Sequence, residues 1–231
     1  MNKKENIIIN NMDKNHFLQK SEPISAALHL IGLVFSVVGF VFLMIFTKEQ
    51  GTLLHLIGFV FFGLALIFLY FFSTIYHFFP KKSKFKKILQ QMDHVMIYIF
   101  MASTYTPICL TMDNRICGWA LLGLVWMFAL TGMVIKIKKI EIKEWASVAM
   151  YTVFGMLIIL AINPIMQWLP KDGVGWLYGG GSFYLIGVIF FILEEYGPKR
   201  IYYGFHEIWH LFVMAGSFSH GWLMMRYVLQ A

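Results

Sequence analysis

Two histidines stand four residues apart in His206-Glu207-Ile208-Trp209-His210, while Ser73, His77 and Asp93 interrupt other apolar stretches. On a helix, residues four apart share one face about a turn apart, so both imidazoles can reach one metal ion. The same spacing also occurs in helices that only pack, and the surroundings give the pair its weight. An imidazole inside a bilayer is costly unless it has a partner or lines a cavity. Three neutral imidazoles with one open position describe a catalytic zinc site, whose fourth ligand is a water acidic enough to attack at neutral pH. His77, His206 and His210 can supply the three. Asp93 can take the water's proton or orient a ligand, and it can also cap the third apolar run. Ser73, one turn before His77, can bond the water or a developing oxyanion, or else bond back to a carbonyl of its own helix. Manganese or iron suits the same donors, and zinc is preferred for three histidines with no redox partner. An alternative takes Glu207 as the base of a zinc-protease motif, or as a cap facing the headgroups.

These groups must be carried by membrane helices. Of 231 residues, 59% are hydrophobic and only 13% charged, a composition that excludes a soluble globular domain. Seven apolar runs of roughly 18 to 27 residues recur, each long enough for a bilayer core of about 30 Å. They lie near Ile24 to Phe46, Leu53 to Phe79, Met92 to Leu110, Trp119 to Ile137, Trp145 to Trp168, Trp176 to Leu193 and Phe205 to Leu229. The expected architecture is an all-α integral membrane protein, a seven-helix bundle over residues 22–231 behind a polar segment, 1–21. That segment lacks the features of a cleaved signal peptide, so the first run is expected to act as an uncleaved anchor in the cell membrane.

Lysine and arginine set the orientation. Lys3, Lys4, Lys14 and Lys20, Lys81, Lys82, Lys84, Lys86 and Lys87, Lys136, Lys138, Lys139 and Lys143, and Lys199 and Arg200 fall on one side, leaving Lys48, Arg115, Lys171 and Arg226 opposite. The N-terminus is therefore expected in the cytoplasm and the C-terminus outside. The net charge of +7 reads as topology plus attraction to anionic inner-leaflet headgroups, not as a nucleic-acid surface. Phe85, Ile88, Leu89 and Met92, spaced at helical intervals among lysines, describe a short interfacial helix or a solvated basic loop. Cys109 and Cys117 are expected to stay unpaired rather than bridge.

With that orientation, Glu22, Ser25 and His29, Ser73 and His77, Asp93 and His94, and His206 and His210 all lie toward the cytoplasmic side, where chance would scatter them. His220 is about 15 Å past His210 along the axis and reads as a packing residue; His55 also falls elsewhere. These segments carry a resemblance to a known family: Glu22, Ser25, His29 and Gly32; Ser73-Thr74-Ile75-Tyr76-His77; Asp93-His94 with Tyr98 and Thr104-Tyr105-Thr106-Pro107; and His206 to His210 with Gly216 and His220. Together they resemble the hemolysin III proteins, which group with the progestin and adipoQ receptors. The resemblance implies seven helices, a zinc ion on His77, His206 and His210, and Asp93 and Ser73 beside its water. The resemblance is not expected to extend to the receptors' long N-terminal domain, so hormone recognition is not carried over. The leading expectation is a zinc-dependent hydrolase of membrane-lipid amide or ester bonds. The alternatives are a non-catalytic membrane-homeostasis or sensor protein with a structural metal, and a cytolytic pore-former, which a packed apolar bundle disfavours.

Overall fold

The computed structural model describes residues 22–81, 83–196 and 204–231. The polar segment 1–21, Lys82, Lys199 and Arg200 lie outside the described residues. Among the described residues every regular element is helical, as hydrocarbon demands of a chain that must satisfy its own backbone polar groups. The helices are α1 (Pro23–Gln50), α2 (Leu53–Phe78), α3 (Lys86–Thr111), α4 (Arg115–Ile137), α5 (Glu144–Met156), a 3₁₀ turn (Leu157–Ala161), α6 (Ile162–Trp168), α7 (Lys171–Tyr196) and α8 (Phe205–Leu223), which continues as a π turn (Met224–Val228). Six rods are long and apolar enough to cross a membrane: α1, α2, α3, α4, α5 with α6, and α7. The seventh rod, α8, is the one that spends its positions on His206, Glu207, His210 and His220. The chain is thus a multi-pass membrane protein, which in a bacterium means the cell membrane.

Local signals set the boundaries. Pro23 stands at the first turn of α1, the Thr52 side chain accepts from the His55 backbone N–H to start α2, and Asn114 accepts from Cys117 to start α4, each relieving an orphaned helix-terminal donor. Neighbours in sequence pack side by side, α1 on α2, α2 on α3, α3 on α4 and α7 on α8, and α8 returns to α1. Helix α3 is the central one: 78% of its apolar window is buried, against 22% for α1. That explains its hydroxyl-rich sequence. Ser103, Thr104 and Thr106 each donate to a carbonyl four residues earlier, so they are satisfied without water. Close backbone approach supplies much of the packing, because helices in lipid gain little from apolar burial. Gly58 of α2, for example, lies directly on the backbone of Pro107 in α3.

Two expectations need correction. The third run begins at Lys86 rather than Met92, so the basic apolar segment from Lys86 to Met92 is continuous with α3 and is neither a separate interfacial helix nor a loop. Asp93 consequently sits two turns inside α3, where its backbone N–H is already bonded within the helix, and it is not an N-cap. The fifth crossing is broken at Leu157–Ala161. Tyr105, at the heart of α3, donates through its hydroxyl to the carbonyls of Phe154 and Gly155 (2.9 and 2.7 Å) and accepts from the Ile158 N–H (3.2 Å), repairing the backbone bonds that the break frees. Both cysteine thiols are free.

Candidate metal centre

The site lies where the first turns of α1 and α8 meet the last turn of α2. Glu22, Ser25 and His29 follow at i, i+3 and i+7, so they form one stripe down α1, and each reaches a different partner. The Glu22 N–H donates to the His77 carbonyl (3.1 Å). Its carboxylate accepts from His77 Nδ1 at 2.7 Å. Ser25 donates to Glu207 Oε1 at 3.1 Å, and His29 Nε2 is 2.9 Å from His210 Nδ1. Around Glu22, Lys81 Nζ approaches Oε1 at 3.1 Å and Lys86 Nζ approaches Oε2 at 3.7 Å. Lys86 also donates to the Tyr76 carbonyl at 2.5 Å and lies 3.9 Å above the Tyr76 ring, which lets an ammonium stay buried at the end of α2. Burial alone would push the Glu22 carboxyl up, but the hydrogen bond and charge of His77, with Lys81 and Lys86, outweigh it and hold the group well below the usual carboxylate range.

Four imidazoles then meet across three helices. Ring centroids are 4.1 Å apart for His29 and His210, 4.4 Å for His206 and His210, 5.0 Å for His77 and His210, 5.4 Å for His29 and His77, and 5.5 Å for His77 and His206. His29, His77 and His210 are buried, and ligand-capable atoms of these three all lie within 4.8 Å of one another; His206 is half-buried at the rim. His210 Nε2 and His29 Nδ1 are buried with no hydrogen-bond partner. An orphaned ring nitrogen at this depth would cost on the order of 1–3 kcal/mol, and a cation that accepts its lone pair removes that cost. With His77 Nδ1 committed to Glu22, its Nε2 is the nitrogen left for an ion. A carboxylate behind a ligating imidazole is the usual way such a ring is oriented and made more basic. These donors fit a divalent metal that favours imidazole.

Ser73 and Asp93 are both buried beside this cluster, from α2 and α3. The Asp93 carboxylate lies close enough to Ser73, His77 and Lys86 to interact with all three. Thr74, the neighbour of Ser73, makes a back-bond of its own, to the Tyr70 carbonyl four residues earlier at 2.6 Å. Glu207 is occupied on both oxygens: one accepts from Ser25, the other from the Gly204 N–H at 2.8 Å. It thus caps α8, in keeping with the capping alternative. Glu194 of α7 completes that end by accepting from the His206 N–H at 3.2 Å. Lys86 and Glu194 were not singled out from sequence, because neither has a spacing that links it to the histidines. His55 and His220 stay apart from the cluster: His55 Nε2 donates to the Val228 carbonyl (3.0 Å), and His220 Nδ1 to the Gly216 carbonyl (2.9 Å).

The family model described as "Haemolysin-III related" matches residues 17–221. The chain is similar to "Hemolysin-3" of Bacillus cereus, 35% identical over 91% of this chain and 93% of that protein. It is also similar to "Hemolysin-3 homolog" of Bacillus subtilis (strain 168), 36% identical over 87% and 91%. A more distant relative is human "Monocyte to macrophage differentiation factor", 25% identical over 69% of this chain and 65% of that protein. The chain therefore belongs to the haemolysin-III-related family.

Proposed function

We propose that this protein is a zinc-dependent hydrolase of membrane-lipid amide or ester bonds, with His77, His206 and His210 holding the ion. The observation that carries the reading is one cluster of four imidazoles, three of them buried, with His210 Nε2 left without a hydrogen-bond partner, beside the buried Asp93 and Ser73. The three histidines whose ligand atoms lie within 4.8 Å of one another are His29, His77 and His210; the reading takes His206 in place of His29, whose Nε2 is engaged by His210. His210 spends Nδ1 on His29 and keeps Nε2 free, whereas His206 shares a helix face with His210 and a ring contact with His77. A zinc ion on three imidazoles supplies a water acidic enough to attack a carbonyl at neutral pH. Asp93, buried and held by Ser73, receives the proton given up in that attack and returns it to the leaving group. Ser73 keeps the Asp93 carboxylate turned toward the cluster. Glu22 and His29 fix the rings of His77 and His210.

In this reading the rods make seven crossings with the N-terminus in the cytoplasm, so the cluster opens toward the inner leaflet. A lipid would enter sideways, its headgroup near Lys81 and the other lysines at that face. The test is metal content and turnover of a panel of lipid amides and esters by detergent-purified protein. One zinc per chain, lost in His77→Ala, His206→Ala and His210→Ala, with turnover abolished in Asp93→Asn while metal is retained, supports the reading. Turnover of every lipid class unchanged in His77→Ala and Asp93→Asn overturns it. A second reading, a structural metal in a membrane sensor, is favoured by burial: His210 is only 1% exposed and His77 3%, and structural zinc sites are closed. It expects His210→Ala to lower thermal stability with no product formed by any variant.

A further inference from the structure

We propose that His29 is a positioning residue of the metal centre, holding His210 in the ring orientation and tautomer that ligation requires. This rests on the reading above that His77, His206 and His210 are the ligands. His29 Nε2 and His210 Nδ1 are 2.9 Å apart, and both side chains are buried. The two nitrogens of an imidazole look outward in nearly opposite directions. A partner on Nδ1 and an ion on Nε2 therefore sit on opposite sides of the His210 ring, and His29 stands on the side away from the ion. For Nε2 of His210 to present a lone pair, the single proton of the neutral ring must be on Nδ1, and the bond made there sets the tautomer. Nδ1–H then donates to His29 Nε2, which leaves the His29 proton on its own Nδ1.

The surroundings of His29 hold it for that task. Its ring stacks on His77 at 5.4 Å with an interplanar angle of 14° and packs 5.7 Å from Tyr70, whose own ring presses on Gly32 one turn along α1, where a Cβ would come within 2.8 Å. Glu22 performs the same service for His77, and Ser25 between them steadies Glu207 at the start of α8. The single stripe Glu22–Ser25–His29 thus holds α2 and α8 in register around the ion, while α1 itself contributes no ligand.

The distinguishing experiment uses the whole protein in detergent, loaded with zinc for affinity and with cobalt(II) for its visible ligand-field spectrum, comparing wild type, His29→Gln, His29→Ala, His77→Ala and His206→Ala. Glutamine places a polar atom the same number of bonds from Cα as Nε2, so it keeps the bond to His210 but makes a poor metal ligand. The expected result is one ion per chain and an unchanged cobalt spectrum in His29→Gln, with zinc affinity within about threefold of wild type. His29→Ala should bind about 10- to 100-fold more weakly, the usual cost of removing such a partner. If His29→Gln loses the ion as His77→Ala does, or changes the cobalt spectrum, His29 is a ligand and the proposal falls. Unchanged affinity in His29→Ala overturns it as well. Wild-type affinity in His206→Ala would refute the ligand assignment of the preceding section, and a wild type that binds no metal would refute both.

Discussion

Removing the Glu22 carboxylate probes the site from a residue outside the crossing segments. Glu22→Ala leaves the His77 Nδ1–H, on a side chain only 3% exposed, without the acceptor it has at 2.7 Å. An unsatisfied buried donor costs about 1–3 kcal/mol, which converts to roughly 5- to 150-fold in an equilibrium constant. Part of that cost is spread between the metal-free and metal-bound forms, so a 10- to 100-fold loss of zinc affinity is the expected range. Glu22→Gln keeps the shape and an acceptor and loses only the charge. A charge-assisted bond is about twice as strong as a neutral one, and Glu22 is 26% exposed, so screening leaves an expected loss of about three- to tenfold. The assay is competitive zinc titration against a chromophoric chelator at neutral pH, with melting of the metal-free protein as a control for folding. Both variants binding zinc within twofold of wild type would refute the claim that Glu22 orients His77.

Other perturbations address the scaffold. Tyr105→Phe strips the Ile158 N–H of its acceptor and the Phe154 and Gly155 carbonyls of a donor; a fall in stability of about 1–3 kcal/mol is expected by thermal melting in detergent, and an unchanged melt would show that water fills the break. Gly58→Ala places a Cβ 2.7 Å from Pro107 Cα, and because that neighbour is backbone, α2 and α3 must separate at a cost of about 1–3 kcal/mol; no change in melting would mean that the helices are free to part. Glu207→Ala removes the acceptor for both Gly204 N–H and Ser25 and should lower stability by about 1–2 kcal/mol, while zinc stoichiometry stays at the wild-type value. Loss of the ion in Glu207→Ala would place that carboxylate in the metal site itself.

The sequence by itself determined that this is a membrane-embedded helical chain, since runs of apolar residues this long have few other solutions. It also determined which residues could do chemistry, because polar groups are costly in hydrocarbon and the seven histidines of the apolar runs stand out against it. Helical spacing made Glu22, Ser25 and His29 one stripe, and His206 and His210 one face. It could not assign roles within the set. Asp93 read as a base that could also be a cap, but α3 starts at Lys86, two turns earlier, where Lys86 reaches Glu22 and the Tyr76 carbonyl. Glu207 read as a cap, with a protease base as the lesser alternative, and both its oxygens are taken in the folded chain. The pairing of His29 with His210, 181 residues apart, was decided by tertiary structure alone. Periodicity reports only which face of a helix a residue occupies; which helix comes to stand against that face is set by the packing of α1, α2 and α8, and no local pattern in any one of them encodes it.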